Sequence, residues 1–223
     1  MMDNASMRLK YFRIAGRYLN LFLFDPLDFL NALSKKGYMP LAKLSSKPFK
    51  GKIGVAGPIA KKSSIIVDIN TEKGIIGLLS PDISMVLEEF NEIEKVIEED
   101  LMINLRPYFY EVLVEIEIFS EDDPLRIFKN ISRNIELIRK ISDILNHDSQ
   151  VFGIRICSAN SVPDSPNWFD IEIIPAIEKP SKAYHVYIVF RNTDKNKIYD
   201  FCSNLEYKVK ELISTLTNFA SQN

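Results

Sequence analysis

Arg155, Trp168, Asp170, Glu172, His185, Tyr187 and Arg191 fall on alternate positions of three apolar stretches in the last third of the chain. Alternation of this kind places residues on one face of a strand. Pairing Phe169 with Phe190, Ile171 with Ile188 and Ile173 with Val186 keeps the apolar sides together. It sets Glu172 opposite Tyr187 and Trp168 opposite Arg191. Glu115 and Glu117 join the same face if the stretch around them enters the sheet. Carboxylates beside histidine and arginine are the residue types that transfer protons. They are equally what a half-wet sheet face looks like when charged pairs cross strands. A third reading is a binding surface, because Trp168, Ile174, Tyr187 and Val189 make the face too apolar for plain solvent.

The second chemical signal is cationic. No acidic residue occurs between Asp28 and Asp68, but eight lysines do, among them Lys43, Lys47, Lys50, Lys52, Lys61 and Lys62. The net charge of −2 conceals this segregation: residues 1–79 carry 13 Lys/Arg and 5 Asp/Glu, whereas residues 80–122 carry 2 and 13. Segregation concerns partners more than fold. The lysines predict an anion-binding surface, for nucleic acid or for an acidic protein. Tyr38 and Phe49 are the aromatics among them, which argues for backbone contact rather than base stacking. The acidic segment 81–100 reads as a helix with Ile83, Val86, Leu87, Phe90, Ile93 and Ile97 as its apolar stripe. Two geometries are open: the acidic helix covers the basic surface, or the two face apart. Because the stripe must face the protein and turns most of the glutamates outward, the second is favoured.

Other motifs exclude more than they suggest. Gly51 to Gly57 lacks the spacing of a phosphate loop, and Pro58 follows the last glycine. The two histidines, His147 and His185, and the two cysteines, Cys157 and Cys202, fit no metal or redox spacing, so neither metal nor cofactor is expected. Both cysteines read as reduced structural residues, with Cys202 on a buried helical stripe. No apolar run reaches the roughly 18–20 residues of a membrane span, and Met1 to Met7 has no secretory core. A cytoplasmic protein is expected, and the scarcity of glutamine leans towards a thermophile.

These residues need a frame, and Asp-Pro-Leu provides its landmarks. The tripeptide occurs at Asp25-Pro26-Leu27 and again at Asp123-Pro124-Leu125. Each copy follows a strand-like stretch and opens a helical one, with Asp suited to the N-cap and Pro to the first helical position. Met7 to Phe24 reads as strand, with Gly16 as a bulge or bend. A helix follows to about Lys36, then an edge strand near Tyr38 to Ser45, a strand within Gly51 to Ala60, and a hairpin at 64–79 turning on Gly74. The second half repeats this order: strand 108–118, a helix to about Asn146 with a break near Ser132, strands near 152–156, 169–175 and 184–191, and a helix from Asp194 to about Ala220. The fold class is therefore α+β, with two tandem units at 1–104 and 105–223, each an antiparallel sheet covered by helices on one face. This order resembles the helix-grip arrangement, duplicated in the TATA-box-binding protein and single in lipid-transfer domains, over nearly the whole chain. The acidic second half differs from a DNA saddle, whose phosphate-facing side is basic throughout.

The function expected is non-enzymatic binding or assembly. The Lys-rich first half would contact a polyanion or acidic protein, in a chain that forms homo-oligomers and meets no membrane. The alternative is a small-molecule carrier or enzyme with an apolar cavity between the sheet and the long helix of the second half.

Overall fold

The computed structural model describes residues 6–20, 25–41, 54–133 and 135–222. Strands β1 (Met7–Tyr18), β2 (Met39–Pro40), β3 (Ala56–Lys62), β4 (Ile65–Asn70) and β5 (Ile75–Leu79) come from the first half. Strands β6 (Pro107–Phe119), β7 (Ile154–Cys157), β8 (Trp168–Pro175) and β9 (Ala183–Asn192) come from the second. The helices are α1 (Pro26–Lys35), α2 (Ile83–Lys95), α3 (Pro124–Arg133), α4 (Glu136–Leu145), α5 (Lys195–Ser203) and α6 (Leu205–Ser221). The strands form one antiparallel open sheet in the order β2-β3-β4-β5-β1-β6-β9-β8-β7. Two separate sheets were expected. The long pairing of β1 with β6, from Met7–Ile118 to Tyr18–Pro107, fuses them into one.

Local chemistry starts the helices where expected. The Asp25 carboxylate accepts from the Leu27 amide at 2.8 Å, and Asp123 accepts from Leu125 at 3.0 Å. Asp82 and Asp194 cap α2 and α5 in the same way, at 3.0 and 2.9 Å. Each bond satisfies an amide that the first helical turn leaves open. Helices α1, α4 and α6 end near Lys36, Asn146 and Ala220 as expected, whereas α2 ends earlier. A π-helical turn at Val96–Asp100 closes α2. The helix expected from Asp123 to Asn146 is broken near Ser132, as anticipated, into α3 and α4. At their break the Ser132 hydroxyl bonds the Phe128 carbonyl (2.8 Å) and accepts from Val151 N–H (2.6 Å). The last helix is likewise interrupted at Asn204, whose side-chain amide turns back to the Asp200 carbonyl at 3.0 Å. Asn and Ser compete with the helix ladder in this way.

Strand alternation divides the sheet into two faces. Phe12, Ile14, Val67, Ile76, Val112, Val114, Ile116, Val186 and Ile188 are buried on one of them. They share a core with Phe29 and Leu33 of α1, Phe90 and Ile93 of α2, Phe128 of α3, Ile198 of α5 and Val209 and Ile213 of α6. Burial of this apolar layer is the main force holding helices to sheet. Cys202 lies in the same layer, as its helical spacing implied. Burial pushes its thiol up to about 12, whereas Cys157 is exposed. The native protein should therefore show one thiol reactive towards a disulfide reagent at neutral pH, and two in denaturant. Two fast native thiols would place Cys202 at the surface.

A polar cluster joins the halves on the helix side. Glu94 of α2 accepts from the Tyr18 hydroxyl at 2.6 Å and the Tyr110 hydroxyl at 3.2 Å, and it pairs with Lys195 at the start of α5. The Lys195 ammonium lies 5.3 Å from the Phe90 and Tyr199 ring centres and 5.8 Å from that of Tyr110. Gly16 does not mark a bulge. The shifts of register fall at Leu9/Tyr11 and Arg17/Tyr18. Instead the Tyr18 ring folds over Gly16, where a Cβ would collide with it.

Candidate binding face

The face opposite the helices is built from the other alternate residues. The β8–β9 register is the expected one, with Trp168 opposite Arg191, Glu172 opposite Tyr187 and Phe169 opposite Phe190. One row crosses five strands as Tyr11, Glu115, Tyr187, Glu172 and Arg155. Arg13, Leu113, Val189 and Asp170 form the adjacent row, and Arg8, Glu117 and His185 another. The sheet thus brings Arg155, Trp168, Glu172, His185, Tyr187 and Arg191 onto one face. Arg8, Tyr11, Arg13 and Arg17 of β1 also lie there, residues that no sequence motif marks. Their alternation was readable, but nothing in the sequence stated that β1 would lie beside β6.

Most charges on this face are matched. Arg13 holds Asp68 with two bonds, Nε to Oδ1 at 3.1 Å and Nη2 to Oδ2 at 2.7 Å. Burial works against the Arg13 charge, but the bond to Asp68 and its charge outweigh it and raise the guanidinium above its ordinary range. Arg191 bonds Glu111 (Nε to Oε2, 3.0 Å) and the Pro163 carbonyl (2.6 Å), with its guanidinium 4.3 Å from the Phe109 ring centre and 5.7 Å from that of Trp168. Arg155 bonds Asp170 from Nε at 2.8 Å. Lys10 reaches the buried Glu117 carboxylate at 3.0 Å, with Arg8 at 3.9 Å. Bidentate, aromatic-stacked arginines are the stronger form of such pairs.

The charges left over are sorted by half. Arg17 packs over Tyr108 and Phe109. Among the described residues, neither it nor Lys61 has a carboxylate partner. Glu115 and Glu172 likewise have no cation within ion-pair distance. The first half of the face therefore carries Arg8, Lys10, Arg13, Arg17 and Lys61 against one carboxylate, Asp68. The second carries Glu111, Glu115, Glu117, Asp170 and Glu172 against Arg155 and Arg191.

Burial raises the pKa of Tyr11 and of Tyr187, and nearby carboxylates add to the rise in both. Both phenols are therefore protonated at neutral pH. This face offers fixed charges, aromatic faces and strand-borne rigidity, which suit recognition.

The lysine prediction fares differently. Lys43, Lys47, Lys50 and Lys52 lie outside the described residues. Lys62 points to the helix side, where it pairs with Glu89 of the acidic helix, and Glu89 also accepts from the Tyr38 hydroxyl at 2.6 Å. Lys36 lies 3.9 Å from Asp100. At these points the acidic segment meets the basic one rather than facing away. Glu88, Glu92, Glu98 and Glu99 are exposed, as the apolar stripe implied.

Among the described residues, no group of three or more His, Cys, Asp or Glu could hold a metal ion. No helix among them is long and apolar enough to cross a membrane. No protein-family model matches the chain, and neither does any curated protein or any solved structure.

Proposed function

We propose that this is a non-enzymatic binding and assembly protein, made of two copies of one β-α-β-α unit in helix-grip order, which receives an acidic protein surface on the basic half of its open sheet face. The division of unpaired charge on that face carries the reading: among the described residues, cations without partners on the first half and carboxylates without partners on the second. Charge arranged in this way selects and orients a partner more than it stabilises a fold. A nucleic acid long enough to cross the sheet would meet five carboxylates on the second half, so a protein partner fits better.

The duplication draws support from the strand order. Outward from the β1–β6 pair, β5, β4 and β3 on one side answer β9, β8 and β7 on the other. Asp25 and Asp123 make the same cap at the same point of each unit, and Asp82 and Asp194 each cap the helix after the last strand of their unit, by bonds to different amides. The units at 1–104 and 105–223 share one core across the seam.

The alternative of a cavity between sheet and long helix draws no support. Val209, Ile213, Leu216 and Ala220 fill the inner side of α6. A groove of about 670 Å³ lies elsewhere, between α3 and α4, and its lining includes Lys129, Arg133, Glu136, Arg139 and Asp148.

The test is a titration with a labelled oligo-glutamate peptide and with duplex DNA at about 50 and 200 mM salt. The peptide should bind at low salt, and Arg8→Glu with Arg17→Glu should weaken it by about tenfold or more. Peptide binding that ignores these changes, or is absent at low salt from the monomeric chain, overturns the reading. Duplex DNA bound more tightly than the peptide, and lost with the same arginines, would move it to nucleic acid.

A further inference from the structure

We infer that the acidic surface taken up by the basic half is the second half of another copy of this chain: two molecules stack open face on open face about a two-fold axis running along the β1–β6 seam. The inference rests on the reading of this face as a binding surface and names its partner.

Symmetry and charge together select this arrangement. Two identical faces can stack about a two-fold axis lying in the plane of contact. An axis across the strands would set each basic half on the partner's basic half. An axis along the seam sets Arg8, Lys10, Arg13 and Arg17 over the partner's acidic half, and the acidic half over the partner's basic one. The exchange acts half on half: height along the strands is kept, so Arg17, level with Phe109, meets the partner's acidic half away from Glu115, which is level with Tyr11. Arg17 and Lys61 stand on one half and Glu115 and Glu172 on the other, and among the described residues none of the four has an ion-pair partner of its own. The remaining charges are already paired within the chain, so stacking does not strand them.

Area and composition also suffice. Only β1 and β6 are long, and at about 4.8 Å between strands and about 3.3 Å per residue the strands together cover about 1,000 Å². A stable interface needs about 800 Å² from each partner, so stacking would use most of the face. Near the seam the face presents Tyr11, Leu113, Tyr187 and Val189 between arginines, a mixture enriched in interface cores.

The experiment is light scattering on the purified full chain, with two charge-reversed variants. Variant one is Arg17→Glu with Lys61→Glu, which turns the unpaired charges of the first half acidic, like those of the second. Variant two is Glu115→Lys with Glu172→Lys, which makes both halves basic. The wild type should be a dimer with Kd on the order of 1 μM at low salt, weakened about tenfold or more between about 50 and 200 mM salt. Each variant alone should be monomeric with an unchanged circular dichroism spectrum, and an equimolar mixture should give a heterodimer. A wild type that stays monomeric tenfold above that Kd overturns the inference, as do variants that dimerise like wild type. Folded variants that fail to pair when mixed overturn it too. If the monomeric wild type still binds oligo-glutamate, self-association alone fails and the binding face stands. If it ignores the peptide as well, both fail.

Discussion

Replacing Glu94 by alanine is expected to cost about 3 kcal/mol of stability, close to what leaving a buried charge unpaired costs in other proteins. Glu94 is the acceptor for two tyrosine hydroxyls from the two central strands and for the Lys195 ammonium. Its side chain is 13 % exposed and that of Lys195 24 %, so water replaces the lost carboxylate poorly. Removing it leaves an ammonium among the rings of Phe90, Tyr110 and Tyr199, and leaves the Tyr18 hydroxyl buried without its acceptor. The double change Glu94→Leu with Lys195→Met should be less damaging than Glu94→Ala alone, because it removes both charges together. Urea unfolding measures both. A loss below about 1 kcal/mol for Glu94→Ala would mean that Lys195 swings into solvent and that the joint between the halves is held by apolar packing.

Alkaline pH is expected to unfold the protein more steeply than an ordinary domain. Tyr18, Tyr110 and Tyr184 are all less than 10 % exposed. Burial, and for the first two the adjacent Glu94, raises Tyr18 and Tyr110 well above the ordinary tyrosine range. Burial, partly offset by the Thr217 hydroxyl, pushes Tyr184 to about 12. An unfolded tyrosine ionises near pH 10. Above that pH the unfolded chain has released protons that the folded chain still holds, so stability falls as pH rises. The contribution is complete below about pH 10 and is lost as pH climbs towards and past 12. Each group costs about 1.4 kcal/mol per pH unit in that window, and three together cost about 4. Tyr18→Phe with Tyr110→Phe should be less stable at neutral pH, yet should lose less per pH unit above 10. A stability flat from pH 9 to 11.5, by urea unfolding at each pH, would show these hydroxyls reaching water.

What could be read from the chain follows the range of the forces involved. Helix starts depend on residues two or three positions apart, so Asp25, Asp82, Asp123 and Asp194 were legible as caps. The ends near Lys36, Asn146 and Ala220 and the break near Ser132 were legible too. The π-helical turn at Val96–Asp100 and the interruption at Asn204 were not, because they depend on what packs around them. The β8–β9 register was legible because a slip of one residue would turn Phe169, Ile171 and Ile173 out of the core.

The candidate face was half legible for the same reason. By itself the sequence determined the α+β class, the order of elements, the apolar stripes and the alternation that puts Arg155, Trp168, Glu172, His185, Tyr187 and Arg191 on one side of their strands. All of these are periodic or near-neighbour properties. Only the tertiary structure decided that β1 lies against β6, a choice between strand edges that no local pattern encodes. That one pairing makes a single sheet from two halves, sets the arginines of β1 beside the glutamates of β6, and draws Lys195 to Glu94 across a long stretch of sequence. Partners for charge are settled by whatever packing brings within a few ångströms, because Coulomb attraction falls with distance and screening while the apolar burial that positions the strands does not depend on sign.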